Sequence, residues 1–412
     1  MSAPVQDAGG SVGAAWPRDA QLRLLVGGMP LARVVDSVGG TPCYLYDRAL
    51  LTARVAGLRA QLDPQVHVHY AVKANPMPAL VAHMAGLVDG LDVASAGELR
   101  LALDAGTRPA HISFAGPGKR ESELRQAHAA GVVINVESLR EVSLLARLSE
   151  QAGHAARVAL RVNLPFELKA SGMKMSGGPR QFGLDAELVP QALRTVAAAG
   201  LAFEGFHLFA GSQNLKADAI VEAQAKSYAC ALAWLDNAPA PARTINLGGG
   251  FGIPYTGADV PLAVPAVTEH LNALAARLRH DVPGAHLAIE LGRYLVGEAG
   301  LYVVRVLDRK ISRGQVFLVV DGGMHHHLAA SGNFGQVLRK NYPVAVDGPH
   351  DVTEVASVVG PLCTPLDLLA DRAVLGRAGE GDLVVVFQSG AYGRSASPAG
   401  FLGHPAVVEA LV

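Results

Sequence analysis

A chain of 412 residues, half of them hydrophobic and 17% charged, can bury a large core, is too long for one ordinary domain and lacks the composition of a disordered polymer. Its net charge of −1, with acids and bases interspersed, argues against a nucleic-acid groove or a surface for anionic membranes. No apolar run reaches the roughly 18–20 residues of a membrane span, and the first 16 residues do not read as a signal peptide. The three cysteines, Cys43, Cys230 and Cys363, are odd in number and far apart, which suits a reducing cytoplasm better than a disulfide framework.

Residues 1–20 read as a flexible tail, and 21–46 as short strands and turns joining a β-domain. Asp47 can cap a helix running through Leu50, Leu51, Val55, Leu58 and Leu62. Strand-like segments then fall near 66–72, 88–93, 111–114, 132–136, 157–163, 201–207, 243–246 and 286–290. Amphipathic helical stretches lie between most of them, such as Ala96–Leu103, Glu121–Ala129, Leu139–Ser149 and Val189–Ala198. Eight strands, each followed by a crossover, predict an α/β fold, a parallel (β/α)8 barrel over 47–294. Two longer loops interrupt it, Leu164–Asp185 and 248–260; a structureless loop as long as the first is usually functional or disordered. Val/Leu strands near 301–307, 316–320, 351–359 and 383–387 predict an all-β domain over 295–412 that also takes in the N-terminal strand.

Active sites of such barrels lie at the carboxyl ends of the strands. The first strand ends in Lys73, stopped by Asn75-Pro76. Lys73 reads either as a solvated strand-end charge or as a desolvated amine able to form a Schiff base. Asp92 ends the second strand, Arg161 lies on the fifth, and the sixth runs through His207 and Phe209 into Gly211-Ser212-Gln213. The seventh ends in Gly248-Gly249-Gly250, and the eighth in Glu290-Leu291-Gly292-Arg293. Glycines let the backbone approach an anion closely, and the end of strand seven is where phosphate sites recur in barrels, although such a run alone is more often a tight turn. Lysine, glycine cradle and carboxylate together suggest pyridoxal 5′-phosphate: an imine, a phosphate site and a partner for the pyridine nitrogen.

The motifs YAVKAN (70–75), LDVAS (91–95), GSQ (211–213), LGGGFG (247–252), ELGR (290–293), GPLC (360–363) and GAYG (390–393) stand in a specific order. In that order and spacing the chain, from about residue 25 to its end, resembles the pyridoxal-phosphate decarboxylases of the alanine-racemase barrel fold, the group of diaminopimelate and ornithine decarboxylases. The resemblance implies that Lys73 carries the Schiff base, that Glu290 pairs with the pyridine nitrogen, and that Gly249, Gly250, Ser212, Arg293 and Tyr392 hold the phosphate. It places Asp92 and Arg161 near the ring and the lysine, and Arg161, Arg293, Thr364 and Tyr392 by the substrate. It also implies a head-to-tail homodimer in which Cys363 of the other subunit protonates the carbanion; otherwise a free cysteine is more commonly a small buried hydrophobe. Racemases of the fold carry arginine where this chain has Glu290, so decarboxylation is favoured over racemisation.

Two departures bear on detail. Family members place a histidine two residues before the GS pair, where this chain has Phe209; Phe209 is expected to stack on the ring, with His207 available one strand period earlier. The acid that follows the cysteine and meets a distal amine is replaced by Thr364, which implies a substrate with a neutral or anionic far end. Segments 171–183 and 322–343 resemble a subgroup that decarboxylates aminoacyl groups on carrier proteins or accompanies exosortase-linked sorting; a glutamyl thioester would satisfy the site. Lys174, Arg180, Arg339 and Lys340 read either as a surface for an acidic carrier or as ordinary solvated charge. His325-His326-His327, three successive residues on a strand, cannot all face one ion, and no metal is expected. A diaminopimelate decarboxylase remains the alternative, and a racemase a lesser one.

Overall fold

The computed structural model describes residues 16–167, 173–174, 176–334 and 340–412, with the backbone alone for 173–174. Two compact units emerge: one from Arg54–Ile253 and Pro261–Tyr294, the other from the described residues of Met1–Ala53, Pro254–Val260 and Leu295–Val412. Among the described residues no helix is long and apolar enough to cross a membrane.

The first unit is the expected barrel. Its strands are β1 (Val66–Ala71), β2 (Gly90–Val93), β3 (Ile112–Phe114), β4 (Val133–Val136), β5 (Arg157–Asn163), β6 (Ala202–His207), β7 (Thr244–Gly249) and β8 (His286–Leu291). Each pairs in parallel with the next, and β8 closes on β1 with Leu287 opposite Val66 and Leu291 opposite Tyr70. The period of two in β1 has a physical outcome. Val66, Val68 and Tyr70 are fully buried, while His67 and His69 line a cavity of about 270 Å³ at the amino-terminal end of the strands. There the rings of His67 and His286 stack at 3.9 Å.

The connecting helices start where side chains can satisfy their first N–H groups. Ser95 Oγ accepts from Glu98 N, and Ser138 Oγ from Glu141 N, each at 3.2 Å. Asp47 Oδ1 accepts from Leu50 N at 3.0 Å and caps Arg48–Arg59, a helix that stops short of Leu62. The long loop after β5 has structure of its own: Met173–Lys174 pairs antiparallel with Gly211–Ser212, and Leu184–Asp185 extends along the end of β5.

In the second unit the N-terminal strand, Cys43–Tyr46, lies antiparallel to β9 (Gly300–Ser312), with Val303 opposite Cys43. Val408–Leu411 runs parallel to its other edge. The sheet continues from β9 to β10 (Gln315–Val320), β11 (Thr353–Val359) and β12 (Leu368–Gly376), and on the other side to β13 (Leu383–Val386). Leu24, Leu31, Val35, Leu45, Leu301 and Val385 form its core. β9 runs five residues beyond its expected end, because Arg313 and Gly314, both with positive φ, make a two-residue hairpin turn that draws the polar segment Asp308–Lys310 into pairing with β10. β12 escapes a reading by period, since Asp371-Arg372 breaks its apolar run and Arg372 has a left-handed φ of 44°.

Candidate active site

Lys73 sits just past β1 in a single 3-10 turn, Val72–Ala74, which Asn75 closes by donating its N–H to Val72 O at 3.0 Å. Tyr70 Oη reaches Asn75 O at 2.8 Å and anchors the turn to the strand below. The lysine side chain stays 43% exposed, so the barrel alone does not desolvate the amine. Its Nζ lies 3.7 Å from Glu290 Oε1 and 5.4 Å above the Phe209 ring.

Glu290 is buried on β8, and its other oxygen, Oε2, is 2.8 Å from His207 Nε2 on β6. Burial opposes its ionisation, but the Lys73 ammonium, the His207 hydrogen bond and Arg161 outweigh burial and hold the carboxyl well below the usual range. His207 Nδ1 is buried with no hydrogen-bond partner among the described residues. His207 thus lies against the carboxylate and Phe209 beneath the amine. Asp92, on β2, has Oδ1 3.3 Å from His69 Nδ1, while its buried Oδ2 has no hydrogen-bond partner among the described residues.

Arg161, on β5, does not stand alone. Its Nη1 is 3.0 Å from Oε1 of Glu137, which follows β4, and its guanidinium lies 5.2 Å from the Phe182 ring centre. Glu137 also accepts from Gly116 N at 2.5 Å and Gly183 N at 3.0 Å. Lys119 Nζ lies 3.1 Å from Glu141 and 3.9 Å from Glu137. Burial disfavours the Glu137 charge, yet Arg161 and Lys119 overcome it and lower its pKa; for Glu141 burial prevails and the pKa rises. Sequence reasoning missed Glu137. The signal was an acid ending the fourth strand in INVE, as Asp92 ends the second in LDV.

The glycine-rich end of β7 lies flush against its neighbours. A Cβ at Gly249 would run into the Glu290 backbone, and one at Gly250, where φ is +81°, into the Gly211 carbonyl. Gln213 clamps this loop with both ends of its amide, donating to Ile253 O at 2.7 Å and accepting from Ile253 N at 3.2 Å. Ser212 and Gly250 are thereby brought together, and Arg293 opens the short turn after β8, next to Gly292, whose missing Cβ leaves room for Ala74.

Cys363, Thr364 and Tyr392 belong to the second unit. Cys363 is exposed there, not a buried hydrophobe. Tyr392 has a φ of 54° and its ring centre is 6.5 Å from that of Phe334. The three successive histidines lie in a turn, not on a strand, and face different partners. His326 Nε2 meets Pro405 O at 2.9 Å, His327 Nε2 meets Ser389 Oγ at 3.0 Å, and the His325 ring lies 3.7 Å from that of His326, tilted by 41°. Among the described residues no group of three His, Cys, Asp or Glu side chains is arranged to hold a metal ion. Arg180 pairs loosely with Glu167 at 3.6 Å, and Lys340 is exposed; Arg339 and the Lys174 side chain lie outside the described residues.

These barrel residues fit pyridoxal phosphate on their own chemistry. An exposed amine, an ionised carboxylate beside it, a glycine loop with a serine hydroxyl, and two buried polar atoms without hydrogen-bond partners among the described residues lie on the barrel strands or just past them.

Comparison with known proteins agrees. The family described as pyridoxal-dependent decarboxylase, pyridoxal binding domain, matches residues 48–297. The chain is 39% identical to the L-glutamyl-[BtrI acyl-carrier protein] decarboxylase of Niallia circulans, over 90% of this chain and 88% of that protein. It is 33% identical to the diaminopimelate decarboxylase of Bacillus subtilis, over 93% and 90% respectively. Its structure is similar to that of Helicobacter pylori diaminopimelate decarboxylase complexed with L-lysine, with a TM-score of 0.82 and 26% identity over 92% of this chain and 94% of the other.

Proposed function

The chain belongs to the pyridoxal-dependent decarboxylases, and from that premise we propose that its substrate is a glutamyl-type aminoacyl group tethered as a thioester to a carrier protein. The observation that carries this reading is the absence of a carboxylate for a distal ammonium beside Cys363. Thr364 stands next to the cysteine, and the nearest acid in sequence, Asp367, is 3% exposed and spends both oxygens on backbone N–H groups, Met324 at 2.6 Å and Leu362 at 2.8 Å. A substrate ammonium arriving there would be left uncompensated, at a cost of several kcal/mol if buried. The N. circulans relative, named for a carrier-bound glutamyl substrate, supports the same choice.

Bound pyridoxal phosphate supplies the aldehyde that captures an amine and the ring that accepts the electrons released with CO2. Lys73 Nζ is the amine that would hold it, and the same amine would move a proton at the substrate α-carbon. Glu290, kept ionised by Lys73 and His207, would hold the pyridine nitrogen protonated; the same charge would disfavour a racemase. Gly249, Gly250, Ser212 and Arg293 would seat the phosphate, while Asp92 and Arg161 would face the reacting end, Arg161 fixed by Glu137. Arg161 and Arg293 would border the substrate. In a head-to-tail homodimer Cys363 of the second copy delivers the proton that replaces CO2 on the α-carbon. The cytoplasm suits three cysteines that form no disulfide.

A diaminopimelate decarboxylase, which several relatives are, would need a carboxylate from elsewhere. Thr364→Asp puts one beside Cys363. In the cofactor-loaded enzyme it should raise turnover of free diaminopimelate relative to the carrier-bound glutamyl group by about tenfold or more, the worth of one charge-assisted contact. An unchanged ratio would remove Thr364 as the reason for the preference.

A further inference from the structure

The loop that bears Cys363 has an unusual anchor. Asp367 Oδ1 accepts from Met324 N at 2.6 Å and Oδ2 from Leu362 N at 2.8 Å, so a single buried carboxylate ties the Gly323-Met324 turn to the residue just before the cysteine. Its backbone closes the same loop twice more: Asp367 O accepts from Gly360 N at 3.0 Å, and Asp367 N donates to Thr364 O at 3.2 Å. Thr364 N reaches Leu362 O at 2.8 Å and folds the chain tightly around Cys363. Two glycines make room for the clamp, since a Cβ on Gly323 or on Gly360 would overlap the carboxylate itself. Chain on both sides of the carboxylate is thus shaped to it, while the thiol at the loop tip stays exposed.

We propose that Asp367 is a positioning residue that sets where the Cys363 thiol is presented. The proposal rests on the reading of Cys363 as the proton donor, which is why a carboxylate is kept here when its charge is unavailable to substrate. Two backbone donors converge on it from separate turns, and only an acceptor with two oxygens serves both. An amide of the same shape turns one acceptor into a donor facing an N–H, so Asp367→Asn releases one turn while conserving volume.

The test uses the cofactor-loaded enzyme in a Cys230→Ser background. Cys43 is buried, and desolvation pushes its thiol up to about 12, so maleimide alkylation reports on Cys363. Asp367→Asn should change the alkylation rate several-fold. It should also lower kcat with KM little altered, and shift the outcome toward that of Cys363→Ala, with CO2 lost but the amine product not released. Unchanged alkylation and unchanged product partition would overturn the proposal. If Asp367→Asn fails to fold, Gly360→Ala presses a methyl on the intact carboxylate and is read the same way. If Cys363→Ala itself leaves the partition untouched, the proton-donor reading fails, and the alkylation rate alone still decides whether Asp367 positions the thiol.

Discussion

Glu290 shows how single side chains are set against one another at this site. A buried carboxylate is costly unless it is paired, and here Lys73 and His207 take one oxygen each. Lys73, Glu290 and the glycines are legible in sequence because each stands inside a motif at a strand end. The His207–Glu290 contact is not, since its partners are 83 residues apart and only the register of β6, β7 and β8 brings them together. Glu137 stands at a strand end in the sequence, but its role lies in what it holds, Arg161 and two backbone N–H groups. Removing its charge leaves Arg161 and Lys119 short of a buried partner. Glu137→Gln should therefore cost about 3 kcal/mol, as broken buried pairs do, and lower kcat together with stability. Denaturant unfolding measures the first; a loss below about 1 kcal/mol would show that Arg161 is held by other means.

The elements that were legible are those whose period matches their burial. β1 alternates cleanly, and the helix Val189–Ala198 stands where its spacing places it. β12 was not, because the charged pair Asp371-Arg372, with Arg372 in a left-handed conformation, interrupts its apolar run. The barrel strands also predict a pH response. His67 and His286 stack at the amino-terminal end; burial, opposed in part by Asp89, depresses both, His286 to about 3. Their folded values lie below the unfolded value of about 6.5. The stability they support is thus present at neutral pH and is lost as pH falls below about 6.5, for His286 over the range down to about 3. His69, raised by Asp92 against the pull of burial, contributes with the opposite sign. His67→Phe keeps an aromatic ring and removes a proton site, so the fall of Tm between pH 6.5 and 4.5 should become shallower. An equally steep fall would clear the histidine stack of that role.

At the scale of the molecule, barrel and β unit follow from the change of rhythm near residue 295. The return of Pro254–Val260 to the β unit does not, because it depends on partners such as Gln388, whose Nε2 donates to Pro254 O at 2.9 Å. Assembly is a prediction of the same scale. Mixing Lys73→Ala chains with Cys363→Ala chains should recover about a quarter of the wild-type activity if each site uses both copies, since half the dimers are mixed and each then has one intact site. No recovery would place Lys73 and Cys363 of one chain in the same site. The most direct measurement of all is CO2 release by the purified, cofactor-loaded protein. Free diaminopimelate, lysine, ornithine, arginine and glutamate would be offered beside glutamate loaded on an acyl carrier protein. Turnover of the carrier-bound group alone is the expected result; ready turnover of a free diamino acid would contradict the account and make Thr364 indifferent to the choice of substrate.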